Sequence, residues 1–87
     1  MTKTFEIKNK LGMHARAAAK LVQVGTKFKC GVFFVKDGQE VNGKSLLGIL
    51  TLGCPQGSRL IVRTEGADAQ EAMEALGRLI EDKFGED

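Results

Sequence analysis

The chain contains one histidine, His14, standing two residues before an arginine in Leu11-Gly12-Met13-His14-Ala15-Arg16. A helical apolar period begins at Ala15, which makes His14 the last loop residue before a helix. A side chain there lies beside the free N–H groups of the first turn, those of Ala15, Arg16 and Ala17, where backbone donors and the positive dipole end favour an anion. That field and the charge of Arg16 both oppose a proton on imidazole, so a neutral, nucleophilic ring is expected near pH 7. A phosphoryl group carried on the ring would be met by the helix terminus and by the planar Arg16 fork. Such chemistry needs exposure rather than a cavity. A lone histidine at a helix start can equally be a surface or capping residue, and the spacing leaves both readings open.

Two other patterns could do chemistry. Gly38-Gln39-Glu40-Val41-Asn42-Gly43-Lys44-Ser45 fits the phosphate-binding pattern GxxxxGK[ST] letter for letter. Against nucleotide binding, Asp37-Gly38 is a hairpin signal, Val41 would then pair with the preceding strand, and Glu40 would set a carboxylate beside the phosphates. No later apolar strand ends in a magnesium-binding aspartate. Cys30 and Cys54 are 24 positions apart with no CxxC partner, which suits neither zinc nor a disulfide framework. They read as reduced thiols, with Cys30 in a strand. No second histidine or thiol lies within ligand spacing of His14, so neither a metal site nor a cofactor is expected.

The elements that must position His14 follow from hydrophobic period. Thr4 to Lys8 alternates polar and apolar, predicting a strand with Phe5 and Ile7 inward. From Ala15, residues Ala17, Leu21, Val24 and Phe28 share one face, widened by Ala18 and Val22, opposite Arg16, Lys20, Gln23 and Lys27. That pattern predicts an amphipathic helix ending near Gly25 as a C-cap. Lys29 to Lys36 is rich in aromatic and β-branched residues and, through Asp37-Gly38, leads to a short strand at Glu40 to Asn42. Ser45 is placed to cap a short apolar helix from Leu46 that Gly53 ends. Arg59 to Arg63 is a fourth strand. Ala69, Ala72, Met73, Leu76 and Ile80 mark a last helix running to about Phe84. An α+β open-faced sandwich satisfies that order: a four-stranded antiparallel sheet with three helices on one face, in the order strand-helix-strand-strand-helix-strand-helix.

Bulk properties exclude several classes. A chain of 87 residues with 43% hydrophobic and 28% charged residues and one proline is a single globular domain over residues 1–87, neither disordered nor fibrous. The N-terminal residues form no apolar signal, and the uncharged run from Ser45 to Ser58 is too short and too rich in glycine and proline to span a bilayer. A cytoplasmic protein with no membrane insertion is expected. The net charge of +2 conceals a segregation: residues 7 to 63 hold ten lysines and arginines against two acids, while residues 65 to 87 hold eight acids against two cations. A basic body could meet an acidic protein, a phosphate or a nucleic acid. A small nucleic-acid-binding module is the rival from another class, but Gly31-Val32-Phe33-Phe34-Val35 is only a faint match to the base-stacking pattern, and the chain has no Tyr or Trp.

The segment from Asn9 to Val22, Asn-Lys-Leu-Gly-Met-His-Ala-Arg-Ala-Ala-Ala-Lys-Leu-Val, resembles the active-site segment of the HPr family, the histidine-containing phosphocarriers of the bacterial phosphoenolpyruvate-dependent phosphotransferase system. Val41 to Leu50 resembles the family's second signature, and the order of elements matches along essentially the whole chain. The resemblance implies that His14 takes a phosphoryl group from enzyme I, on Nδ1, and passes it to EIIA-type domains, with Arg16 supporting the phosphohistidine. It implies a carrier rather than a stand-alone enzyme, serving sugar uptake or phosphotransferase regulation, or alternatively a nitrogen-related regulatory branch (NPr-like) without sugar transport. The resemblance also implies that Ser45 is a target for an HPr serine kinase/phosphorylase. Met13, Lys20, Leu46, Leu47 and Leu50 are the expected partner contacts, and the protein is expected to be a monomer. One position departs from the family pattern: Ala17 stands where proline most often follows the arginine. Alanine restores an N–H donor but leaves the helix start less preorganised, so altered exchange rates rather than inactivity are expected.

Overall fold

The computed structural model describes residues 1–86. Strands β1 (Thr2–Glu6), β2 (Gly31–Lys36), β3 (Gln39–Asn42) and β4 (Arg59–Glu65) alternate with helices α1 (Ala15–Gly25), α2 (Leu46–Thr51) and α3 (Ala69–Glu81) in the predicted order. The sheet runs β1-β4-β2-β3 with every neighbouring pair antiparallel. β4 and β2 are the two interior strands, and β4 pairs on both edges, Phe5 opposite Leu60 on one side and Phe34 opposite Val62 on the other.

Period-two alternation decides which face is covered. Phe5, Val32, Phe34, Leu60 and Val62 are buried, and the buried residues of the helices join them in one cluster: Ala17, Ala18 and Leu21 of α1, Ile49 of α2, and Ala72, Met73, Leu76 and Ile80 of α3. The opposite face stays open, which is the open-faced sandwich read from the sequence. Phe33, on that open face, lies 4.3 Å beneath the Arg63 guanidinium, while Phe5, Phe34 and Phe84 are buried. The sheet therefore presents no row of aromatic platforms for bases.

Several boundaries differ from expectation. β1 ends at Glu6 rather than Lys8, although Ile7 is fully buried and continues the edge by donating to the Ser58 carbonyl at 2.8 Å. Cys30 precedes β2 instead of lying in it. Both cysteines are free and buried, and burial pushes both thiols up from their ordinary range. Gly25 is the last helical residue of α1, not a left-handed cap: Thr26 follows in ordinary right-handed geometry and donates its N–H to the Val22 carbonyl at 2.9 Å. Asp37 and Gly38 both have positive φ, 51° and 79°, the two-residue hairpin turn that their types predict. Glu40 and Val41 pair with Val35 and Phe34, so the GxxxxGK[ST] segment is a hairpin arm and not a phosphate loop. No helix among the described residues is long and apolar enough to cross a membrane.

The largest departure is at the C-terminus. α3 stops at Glu81 rather than near Phe84, and Lys83, Phe84 and Gly85 turn with φ of 55°, 57° and 74°. Left-handed geometry costs an L-residue roughly 1–2 kcal/mol, so the turn must be held by something else. Phe84 is fully buried, worth about 1.5–3 kcal/mol, and the Lys20 ammonium donates to its carbonyl at 2.5 Å. The turn reverses the chain and carries Glu86 back over the start of α1.

Candidate functional site

His14 is the N-cap of α1, with extended backbone (φ −81°, ψ 177°) and its carbonyl already accepting from Ala18 N–H at 2.9 Å. Its ring Nδ1 accepts the Arg16 amide at 3.3 Å. This long bond fills the capping position and leaves the nitrogen lone pair lightly engaged. The amides of Ala15, Arg16 and Ala17 begin the helix, where no carbonyl lies four residues back within it. The capping role and the site geometry are thus one arrangement.

The loop that aims His14 depends on Gly12. Its φ is +68°, and a Cβ there would stand 2.5 Å from the Cys54 carbonyl oxygen and 2.9 Å from Pro55 Cα. Only glycine lets the loop close so far that Met13 N–H reaches the same Cys54 carbonyl at 2.8 Å. Asn9 braces it from below. Fully buried, it donates Nδ2 to the Gly12 carbonyl at 2.8 Å, and that carbonyl also accepts His14 N–H at 2.9 Å.

Electrostatically the site differs from the sequence reading in one respect. Glu86 contacts His14 Nε2 through Oε2 and accepts from Asn9 Nδ2 through Oε1 at 2.9 Å. The ring therefore lies between a positive helix end and a carboxylate, not in the purely positive field expected. The Asn9 hydrogen bond, and after it the one to His14, hold the Glu86 carboxyl below its ordinary range. Arg16 is exposed and, with Lys10, Leu11 and Glu86, lines an open depression of about 320 Å³ beside the ring. Two cations and the amide end of α1 favour a small anion there, against the opposing charge of the Glu86 carboxylate on the same lining. Among the described residues no cluster of His, Cys, Asp and Glu could hold a metal ion.

The remaining expected residues divide. α1 and α2 run antiparallel: the Cys54 carbonyl beyond α2 touches the His14 loop, while Lys44 before α2 donates to the Phe28 carbonyl beyond the far end of α1 at 2.8 Å. Ser45 therefore lies at the end of α2 away from His14. It caps α2, its Oγ accepting Gly48 N–H at 3.1 Å. Leu46, Leu47 and Leu50 are exposed, 77% at Leu47. Met13 is a correction to the expected contact surface: it is 7% exposed and belongs to the core, because the Cys54 hydrogen bond draws its backbone inward. Lys20 is half-buried and already committed to the Phe84 carbonyl. Asn9 and Glu86 are the site residues the sequence reading missed. Asn9 opens the Asn9–Val22 segment but carries no local signal of its role, and Glu86 carries none either, being 77 positions from Asn9.

Known proteins share this arrangement of elements. The family profile described as "PTS HPr component phosphorylation site" matches residues 1–82. The chain is 47% identical over 81 residues to the phosphocarrier protein HPr of Xylella fastidiosa, covering 93% of this chain and 91% of that protein. It is 44% identical over 86 residues to the HPr of Neisseria meningitidis, covering 99% and 97%. The crystal structure of an HPr from Thermoanaerobacter tengcongensis superposes with a TM-score of 0.97 at 48% identity, covering 100% of this chain and 98% of that one.

Proposed function

The chain belongs to the HPr family of phosphotransferase-system phosphocarriers, and from that premise we propose that His14 is its phosphoryl-accepting residue, charged by enzyme I and discharged onto EIIA-type domains. The observation that carries the assignment is the orientation of the ring: Nδ1 faces the open amide end of α1, with Arg16 lining the depression beside it. An incoming phosphoryl group at Nδ1 takes over the Arg16 amide that Nδ1 now accepts, and its oxygens meet the unbonded N–H groups of the first turn. The guanidinium of Arg16 supplies charge-assisted hydrogen bonds from the solvent side. The site is shallow because the group must be handed between two proteins, and the exposed apolar Leu46, Leu47 and Leu50 of α2 supply docking surface.

The test is incubation with phosphoenolpyruvate and a cognate enzyme I. One acid-labile, alkali-stable phosphoryl group, absent from His14→Ala and transferable to an EIIA-type domain, is the expected result. No incorporation with a competent enzyme I would refute the assignment.

A further inference from the structure

The C-terminal turn brings a carboxylate to the one ring nitrogen that phosphoryl transfer leaves unused. We propose that Glu86 is a positioning residue for transfer at His14: it keeps the proton on Nε2, which leaves the Nδ1 lone pair as the nucleophile and neutralises the cationic ring that phosphorylation creates. The proposal rests on the phosphocarrier reading and deepens it.

The contacts around the ring agree on one tautomer. A nitrogen that accepts the Arg16 amide carries no proton, so the proton of the neutral ring is on Nε2, facing Glu86. In the forward step the Nδ1 lone pair forms the new P–N bond as the bond between phosphorus and the donor's own carrier atom breaks, and the electron pair of the broken bond returns to that atom. His14 becomes a phosphoimidazolium whose Nε2 proton never leaves. The positive charge generated on the ring is met by Glu86, and discharge to the next acceptor reverses the step with the same proton in place. This is the orienting role that a carboxylate plays on a catalytic imidazole, here provided by the chain's own tail.

The support around Glu86 is more elaborate than a loose tail contact. Asn9 is fully buried and turns both N–H bonds of its amide outward, one to Glu86 and one to the Gly12 carbonyl, leaving its Oδ1 without a hydrogen-bond partner among the described residues. Rotating the amide would set Oδ1 against a carbonyl or a carboxylate, so the unsatisfied oxygen is the cost of holding those two acceptors. One asparagine thereby ties the carboxylate to the same carbonyl that orients the His14 backbone. Lys20 and buried Phe84 fix the turn behind it.

Glu86→Ala and Glu86→Gln test the role, since neither changes an apolar side chain of the core. Nitrogen NMR of the His14 ring reads the tautomer directly, a property that a mere latch on the tail would not move. In the parent protein the Nε2–H form dominates. In both variants the Nδ1–H form grows, and the single-turnover rate from phosphorylated enzyme I falls about threefold to thirtyfold, between the worth of an exposed ion pair and that of a charge-assisted hydrogen bond. An unchanged tautomer ratio in Glu86→Ala overturns the proposal, and so does an unchanged rate. A parent protein that accepts no phosphoryl group from a competent enzyme I is a different result, which removes the phosphocarrier reading itself.

Discussion

In the proposed transfer, the end of a helix serves His14 because the backbone there offers donors that no side chain has to supply. The residue that makes this possible is Gly12, whose missing Cβ lets the loop press against Cys54 and Pro55. Gly12→Ala combines a left-handed alanine with a backbone clash, and about 3 kcal/mol of stability should be lost, measurable by denaturant unfolding. Any folded fraction should also transfer more slowly, because the N-cap is displaced. At Arg16 the charge and the fork are separable. Arg16→Lys keeps the charge near the depression but loses the bidentate geometry, so its transfer rate should fall between those of the parent and Arg16→Ala. Equal rates for the lysine variant and the parent would show that charge alone suffices.

Among the elements, α2 joins a capping task to an apolar surface. Ser45→Ala removes the acceptor for Gly48 N–H and should cost about 1 kcal/mol in thermal or denaturant unfolding. Ser45→Asp keeps the cap but sets a charge next to Leu46, Leu47 and Leu50; stability should be near that of the parent while transfer from enzyme I weakens. The start of α1 carries the other test, because Ala17 is fully buried yet stands in the first turn, where proline removes no helical hydrogen bond. Ala17→Pro should fold and should change the rate of exchange without abolishing it. These elements were legible because their signals are local: Phe5 and Ile7 alternate, Ala17 and Leu21 recur at helical spacing, and Asp37-Gly38 names its own turn. The same locality explains the failures. Nothing in the types of Lys83 and Phe84 announces positive φ, and the apolar stripe of α3 continues to Phe84, so periodicity alone extends the helix through them. The pairing of Asn9 with Glu86 depends on that turn, so half of the His14 environment was invisible until the chain was folded.

Over the whole molecule, two carboxylates join segments far apart in sequence, and both are held below their ordinary range. Asp68 stands at the N-cap position of α3 but spends its side chain elsewhere, accepting Lys29 N–H and Cys30 N–H at 2.9 Å each. The Lys29 bond is the chief cause of its lowered pKa, with the Cys30 amide and thiol adding to it. Glu86 is lowered by Asn9 first and by His14 after it. A carboxyl whose folded pKa is depressed binds its proton more readily in the unfolded chain, so it contributes stability above the unfolded value and loses it as pH falls through the folded one. The window therefore opens below the ordinary values of 4.5 for Glu86 and 3.8 for Asp68. Denaturant unfolding at pH 7 and at about pH 3 should show the parent weakened by acid, and Asp68→Asn should show less of that loss, because its amide has no proton to gain. The two sites should also separate by location in hydrogen exchange. Acid should release the 83–86 turn and the His14 loop through Glu86, and the 29–30 segment ahead of β2 through Asp68. In Asp68→Asn only the first release should remain pH-dependent, and an unaltered pH profile at residues 29 and 30 would count against Asp68 as the link between α3 and the sheet.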